Sequence, residues 1–156
     1  MYNKDDLKII ISLPKRMGSD RLIDLLRDDF HFHVIVINIS NKTQRLWEPG
    51  NSWGEDNLSF EIADDKGNIL DELKRKPQVW KKNAPNYSEI EPGEHYIIDV
   101  FLKREWELSF LEKINESNFL LKLRAIYKIE EDNFSKEHGI WTGQVKSEFD
   151  TYRVIK

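Results

Sequence analysis

The chain has 156 residues, of which 39% are hydrophobic, 33% charged and 12% aromatic, and its formal net charge is −4. This length suits one domain, residues 1–156, with a sizeable buried core, and the aromatic content excludes a disordered segment. The acidic balance argues against nucleic-acid binding. The absence of cysteine excludes disulfides and thiolate metal sites.

The amino terminus carries no basic stretch followed by a long apolar run. The apolar run Leu7–Leu13 is interrupted by Lys8 and Ser12, and it is too short for a secretory signal or a bilayer span. We therefore expect no membrane insertion and a cytoplasmic location. A periplasmic or cell-surface location is the alternative if an export signal has been trimmed.

The first quarter of the chain is predicted to hold two strands. Lys8–Leu13 reads as the first of them. For Lys15–Asp29 two alternatives stay open: a short helix capped by Ser19, or a loop with a piece of strand. Phe30–Ser40 is apolar on both faces and rich in β-branched residues, which predicts a central strand.

A hairpin is predicted in the next segment. A turn at Trp47–Asn51 leads to Leu58–Ile62, where apolar and polar residues alternate as in a half-buried strand. Asp64–Asn68 has the composition of a hairpin turn, and the chain returns through Ile69–Leu73. Lys74–Ser88 contains two prolines and is predicted to be irregular, with at most an edge strand.

Strands also dominate the second half of the chain. Pro92-Gly93 is a turn signal, and Glu94–Lys103 behind it alternates as a strand does. Leu108–Ile114 is ambiguous and indicates a helical turn between sheets. The cleanest alternation runs through Phe119–Ile129, and a last strand is predicted within Gly139–Val154.

These elements predict an all-β protein, an immunoglobulin-like antiparallel β-sandwich with Greek-key connections, seven to nine strands and at most one short helix. Five motifs occur in order: N-I-S-N-K-T, L-S-F-E-I-A-D-D-K-G-N, I-E-P-G-E, L-R-A-I-Y-K and I-W-T-G-Q-V-K-S. In this order the chain resembles bacterial immunoglobulin-like sandwich domains, including the intracellular proteinase inhibitor family. The resemblance covers roughly Phe30 to Val154 and implies inhibition, although no reactive-loop residue can be matched.

The five tryptophans divide into two groups. Trp141 is predicted to lie in the core, and Trp106 to plug the bottom of the sandwich. Trp47, Trp53 and Trp80 stand in proline- and glycine-rich surroundings, where a large ring often marks a recognition surface for a protein or a sugar. The alternative is that these three rings close the open end of the sandwich.

A basic cluster surrounds Trp80. Lys76 and Lys81 are its candidate partner-binding residues, together with their lysine and arginine neighbours. Basic residues around a ring can bind nucleic acid, but nearby acidic residues favour a solvated loop that protects a sheet edge. An acidic patch on a partner protein remains the other interpretation.

Two histidines raise the question of a metal. His31 and His33 stand two residues apart, so both side chains leave one face of a strand. Without a third ligand at a suitable spacing, a partly polar strand face is the preferred interpretation, and neither a metal nor a cofactor is predicted. A nucleophile elbow, a phosphate-binding glycine loop and a metalloprotease motif are all missing from the sequence.

The sequence therefore favours a non-enzymatic module that binds another protein through loops or an exposed sheet edge. An inhibitor of a protease or of a toxin is the most concrete version. The alternative is a carbohydrate-binding module that uses the loop tryptophans.

Overall fold

A computed structural model describes residues 6–13, 15 and 21–156. Within these residues the chain forms eleven strands and three short helices. The strands are β1 Leu7–Ser12, β2 Leu22–Asp24, β3 Phe32–Asn38, β4 Gln44–Trp47, β5 Leu58–Ala63, β6 Ile69–Leu73, β7 Tyr87–Ile90, β8 His95–Val100, β9 Asn118–Ile129, β10 Gly143–Lys146 and β11 Asp150–Ile155. The helices are α1 Leu102–Glu105, α2 Ser109–Glu112 and α3 Asn133–His138.

The first sheet has three antiparallel strands in the order β1-β3-β8. The predicted central position of β3 is confirmed. Phe32, Val34 and Val36 point into the core, while Ile35 and Ile37 lie half-buried on the outer face. This alternation is the period of two expected for a strand, and it gives the sheet an apolar outer face as well as an apolar inner one.

The second sheet has the strand order β2-β11-β9-β5-β6, with β10 also paired to β9. The long strand β9 confirms the clearest alternation in the sequence, and its inward residues include Leu123 and Tyr127. The hairpin between β5 and β6 is confirmed as well. Asp64 Oδ1 accepts the backbone N–H groups of Lys66 and Asn68, and Gly67 takes the positive φ of 84° that this turn requires.

One strand was predicted near the carboxyl end, and a bulge divides it into β10 and β11. Three residues, 147–149, stand opposite two residues of β9. The Ser147 hydroxyl accepts the Ala125 N–H at 2.8 Å, and the Ser147 N–H donates to the Ala125 carbonyl at 2.9 Å. The side chain thus replaces a missing backbone acceptor, and the extra residue bends the strand.

The two sheets pack face to face around an aromatic core. The ring of Phe32 from the first sheet lies 5.8 Å from that of Phe60 in the second, and Phe60 lies 5.0 Å from Trp106. Trp141 is 7% exposed, so the prediction that it belongs to the core is confirmed, and Trp106 is fully buried. The protein is all-β and sandwich-like, as predicted.

A third, two-stranded sheet formed by β4 and β7 extends β3 and β8. Asn38, at the end of β3, is completely buried. Its Nδ2 donates to the carbonyls of Lys42 at 2.7 Å and Ile90 at 2.8 Å, and its Oδ1 accepts the Ser40 N–H. This residue closes the predicted turn after β3 and joins it to the chain leading into β8.

Several expectations need correction. The described strands number eleven, more than seven to nine, and the short helices three, more than one. The helical alternative for Lys15–Asp29 is wrong for residues 21–29, where the strand β2 pairs in parallel with β11; Ser19 lies outside the described residues. Strand β8 ends at Val100, because α1 begins at Leu102. The irregular path of Lys74–Ser88 up to Tyr87 and the helical turn within Leu108–Ile114 are confirmed.

Candidate functional site

A cleft of about 820 Å³ opens on the outer face of the second sheet. Its floor consists of outward-facing side chains of β5, β9 and β10, which are cross-strand neighbours. One wall is the loop of residues 51–57, and the other is the start of the segment after β6. The lining includes Trp53, Asp56, Asn57, Ser59, Glu61, Glu72, Lys74, Arg75, Pro77, Ile126, Lys128, Glu130, Asp132 and Gln144.

Asn51 shapes the loop that carries Trp53. Its side-chain Oδ1 accepts the backbone N–H groups of Trp53 at 3.0 Å and Gly54 at 3.2 Å, and its backbone carbonyl accepts from Glu55. Asn51 is buried, so these bonds form in a shielded setting. An asparagine side chain that mimics a backbone turn thus fixes the position of the indole.

Gly54 allows the backbone of this loop to pack closely against the backbone of Glu48. A Cβ at this position would lie 1.9 Å from the backbone carbonyl oxygen of Glu48, which no side chain tolerates. Glycine is therefore required here by packing against backbone, and its φ is not in the positive region.

An aromatic cluster closes the end of the sandwich beside the cleft. Trp47 lies in the centre, with ring centroids 6.2 Å from Trp53, 6.4 Å from Tyr87 and 5.4 Å from His138. Phe134 packs edge-on against Trp53 at 5.6 Å and keeps 47% of its surface exposed. Together Trp53 and Phe134 form the Trp53–Phe134 rim, an exposed aromatic edge on a buried aromatic base.

Helix α3 holds Phe134 in place, and its ends have clear sequence signals. Asp132 accepts the Ser135 N–H while the Ser135 hydroxyl accepts the Asp132 N–H, which is a reciprocal capping box. The helix ends at Gly139, whose φ is 64°. Arg45 then ties the helix to the sheet by donating to the His138 carbonyl at 2.9 Å.

The opposite wall is anchored by a buried guanidinium. Arg75 Nη1 lies 3.1 Å from a carboxylate oxygen of Glu105 and 3.4 Å from one of Glu55, and the guanidinium stands 5.0 Å from the Trp106 ring. The Lys76 N–H also donates to the Glu105 carbonyl at 2.9 Å. Burial raises the pKa of Glu55, an effect that the charge of Arg75 opposes and that of Glu105 reinforces.

The floor of the cleft carries a second ion cluster. Glu61 accepts hydrogen bonds from Arg124 at 2.6 Å and from Lys146 at 3.2 Å. Burial acts to raise the pKa of Glu61, but the bonds and charges of the two cations outweigh it and lower the pKa. These cross-strand contacts stiffen the three strands that form the floor.

The electrostatic character of the lining is acidic. Five carboxylates face three cations: Asp56, Glu61, Glu72, Glu130 and Asp132 against Lys74, Arg75 and Lys128. Among the described residues, Asp56 has no hydrogen-bond or ion-pair partner for its side chain. Glu61 is paired with Arg124 and Lys146, and Glu130 is paired with Lys128. The carboxylate of Asp56 therefore supplies unpaired negative charge beside the aromatic rim.

The structure brings together only part of the predicted partner-binding set. Trp47 and Trp53 both line the cleft, but Trp47 is only 2% exposed, which corresponds to the interpretation that it closes the end of the sandwich. Trp80 is half-buried and Lys81 is exposed, and neither lines the cleft. Lys76 is exposed near the carbonyls of Lys103 and Arg104.

The two histidines come close without forming a metal cluster. The rings of His31 and His33 lie 5.6 Å apart; His33 pairs with Asp99 at 3.0 Å, and His31 stacks on Phe101. Across the described ranges, no group of three His, Asp or Glu residues is placed to hold a metal ion.

Sequence reasoning missed Phe134, and it placed Arg75 in a solvated basic cluster, which is wrong because Arg75 is only 9% exposed. The capping box around Asp132 and the glycine at 139 were a readable helix signal, and a six-residue helix with a phenylalanine near its start would have placed Phe134 at the surface. Nothing local marks Arg75 as buried, because its carboxylate partners lie 20 and 30 residues away in sequence.

The chain matches no protein-family model and no curated protein. None of the helices formed by residues 21–156 has the length and hydropathy needed to cross a bilayer.

Proposed function

We propose that this chain is a non-enzymatic, immunoglobulin-like module that binds another protein through the Trp53–Phe134 rim and the acidic cleft beside it. The observation that carries the proposal is Phe134, a half-exposed aromatic ring seated on a second ring at 5.6 Å and held by a capped helix.

Energetics at interfaces favour such a rim. Binding energy concentrates in a few aromatic and arginine residues that bury fully against a partner. Trp53 and Phe134 lose little conformational freedom on binding, because the buried base of Trp47 and the Asn51 loop already fix their positions. Preorganisation of this kind is what a rigid scaffold gives to its loops.

The charge of the cleft indicates the chemistry of the partner. The unpaired carboxylate of Asp56 favours a segment that carries lysine or arginine next to an apolar residue. The apolar residue would cover the rim, and the cation would reach Asp56. Inhibition of a protease or a toxin is the concrete form of this function, because such targets bind in a rigid, stoichiometric complex.

The two ion clusters of the cleft, around Arg75 and Glu61, favour binding over catalysis. Arg75 is engaged by two carboxylates and Glu61 by two cations. Side chains in such ion pairs stabilise the walls and the floor of the cleft. They are poor proton donors or acceptors, because their charge is already paired.

The test compares the effect on binding of removing two exposed apolar side chains, one on helix α3 and one on strand β9. Wild type, Phe134→Ala and Leu120→Ala are used as affinity baits in lysate of the source cells, and the bound proteins are identified by quantitative mass spectrometry. Leu120, 57% exposed on β9, is the matched control, because it belongs neither to the Trp53–Phe134 rim nor to the lining of the cleft. A partner that binds wild type and Leu120→Ala but is lost with Phe134→Ala is expected.

Calorimetry with the purified partner then measures how much binding affinity each substitution removes. Phe134→Ala should weaken binding at least about 30-fold, the equivalent of a hot-spot loss of about 2 kcal/mol. Equal affinity of all three proteins for the partner contradicts the proposed surface, and retention of one set of proteins by every bait contradicts a specific partner at this rim.

A carbohydrate ligand is the second candidate, favoured by one observation. The indole of Trp53 lines the cleft together with the amides of Asn57 and Gln144, a combination that suits the apolar face and the hydroxyls of a sugar. Titration with a panel of polysaccharides, followed by tryptophan fluorescence, separates the two. Quenching that Trp53→Phe abolishes supports a sugar ligand, and an unchanged spectrum across the panel excludes it.

A further inference from the structure

Strand β8 forms an edge of the first sheet. Among the described residues it pairs only with β3, over six residues from His95 to Val100. Edge strands expose unpaired backbone groups and usually carry lysine, proline or a bulge that prevents association. β8 contains neither lysine nor proline, and its register with β3 is unbroken.

The backbone pattern shows which groups of β8 are free to pair. The Asn38 N–H donates to the Glu94 carbonyl at 3.1 Å, which fixes the alternation along the antiparallel ladder. Tyr96, Ile98 and Val100 therefore direct their backbone groups towards β3. His95, Ile97 and Asp99 direct theirs away from it, and no described backbone group outside the strands bonds to them.

The side chains of these three residues lie on the outer face of the sheet. Ile97 is 58% exposed and continues a cross-strand row with Ile35 of β3 and Ile10 of β1. His95 and Asp99 are both exposed and stand two residues before and two residues after Ile97. Asp99 also pairs with His33 of β3 at 3.0 Å, but its side chain stays 63% exposed and accessible from the free edge.

We propose that a second copy of this chain pairs with β8 along its free edge, antiparallel, with a twofold axis at Ile97. In this register Ile97 stands opposite Ile97 of the second copy, and His95 stands opposite Asp99 at both ends. The pairing uses the three residues whose backbone groups are free and forms about six hydrogen bonds. It joins the two isoleucine rows into one continuous apolar row across six strands.

Symmetry favours a second copy over an unrelated peptide. An antiparallel strand pair with its twofold axis perpendicular to the sheet must set a residue opposite itself, because paired residues share a face. Centring on Ile97 satisfies this condition, and it also brings opposite charges together twice. An unrelated peptide would need an acidic and a basic residue four positions apart in matching register.

The size of the contact sets the expected affinity. One six-residue edge with its flanking side chains buries less than the roughly 1,600 Å² of a standard interface. We therefore expect a dimer with a dissociation constant in the range of about 10 μM to 1 mM, which requires concentrated samples.

Sedimentation velocity across this concentration range tests the association. Ile97→Lys places two cations at the twofold axis and should abolish the dimer. Ile69→Lys is the matched control, because Ile69 is a 48% exposed isoleucine on β6, which is an edge strand of the other sheet. Monomer at every concentration, or loss of the dimer with Ile69→Lys and its retention with Ile97→Lys, overturns the proposal.

Exchange of the flanking charges tests the register. His95→Asp alone sets two carboxylates opposite each other and should weaken association about tenfold or more. The double variant His95→Asp with Asp99→His restores opposite charges and should recover the wild-type constant within about threefold. Equal dissociation constants for wild type and His95→Asp contradict this register. A double variant that associates no more tightly than His95→Asp contradicts it as well.

Hydrogen exchange distinguishes edge pairing from stacking of two apolar faces. In the edge-paired dimer, the amides of His95, Ile97 and Asp99 gain protection as the concentration rises. Face-to-face stacking leaves these three amides as exposed as in the monomer, so an association without their protection overturns the proposal.

Discussion

Asn38 and Arg75 are buried polar side chains that each tie a loop to the sandwich, and they do so with opposite chemistry. Asn38 is neutral, fully buried and satisfied by two carbonyls and the groups of Ser40. Arg75 is charged, its Nη1 bridges two carboxylates, and its Nε is buried without a hydrogen-bond partner in the part of the chain described. A neutral anchor of this kind adds stability at every pH and salt concentration, whereas the contribution of the charged anchor changes with the ionisation of its partners.

This contrast also separates the two surfaces of the protein. Asn38 fixes the turn that leads into β8, so the edge proposed for self-association is stabilised by a neutral side chain. Arg75 fixes the wall of the acidic cleft, so the surface proposed for a partner protein is stabilised by a charged side chain. Conditions that perturb the cleft should therefore leave the edge intact.

The largest effect is expected from Arg75→Leu, because it leaves Glu55 as a nearly buried, unpaired charge. The free energy of unfolding should fall by about 3–5 kcal/mol, measured by urea denaturation at pH 7. Adding Glu55→Leu should recover more than half of this loss, since a well-packed apolar pair can replace a buried ion pair.

Arg104→Leu is the control for this pair of variants. Arg104 is next to Glu105 in sequence, but its side chain is 59% exposed, so its loss should cost no more than about 1 kcal/mol. A cost for Arg75→Leu in the same range would show that the buried cluster contributes nothing beyond a surface ion pair.

A smaller loss is expected from Asn38→Ala. The carbonyls of Ile90 and Lys42 would lose their buried donor, which costs about 2–3 kcal/mol. Unlike the loss from Arg75→Leu, this one should be the same in low and high salt. Asn41→Ala, in the exposed part of the same turn, should leave the midpoint of denaturation unchanged; a salt-dependent cost for Asn38→Ala would contradict the contrast.

The smallest effect is the pH dependence of the Arg75 cluster. The folded-state pKa of Glu55 is raised by burial, so the folded protein binds its proton more tightly than the unfolded chain does. Stability from Glu55 is therefore lost as the pH rises from the ordinary glutamate range through the raised pKa. Glu55→Gln should gain stability relative to wild type over this window, measured by thermal unfolding, and a constant difference from acid to neutral pH would contradict the shift.

Much of the fold follows from local patterns. The alternation in Phe119–Ile129 and in Leu58–Ile62 predicted β9 and β5, because one buried face imposes a period of two. Turn chemistry predicted the Asp64–Asn68 hairpin, since asparagine, aspartate and glycine encode that turn within five residues.

The candidate site could be predicted only in part. Trp53 was found because its loop carries proline and glycine. Trp47 has similar neighbours in sequence but is buried by Tyr87 and His138, which are 40 and 91 residues away. The bulge at Ser147 escaped prediction, and the sequence left β2 undecided between a helix and a piece of strand, because each is defined by its partner strand and not by its own residues.

Composition, alternation and turn residues by themselves determined an all-β chain of short strands joined by turns. The tertiary structure decided which rings stay exposed, which charges meet in the core and which edge of a sheet remains unpaired. The physical reason is the distance in sequence over which each property is set. The period of a strand and the φ of a turn depend on neighbouring residues. The burial of Trp47, the ion pairs of Arg75 and the unpaired backbone groups of Ile97 depend on segments that are distant in sequence.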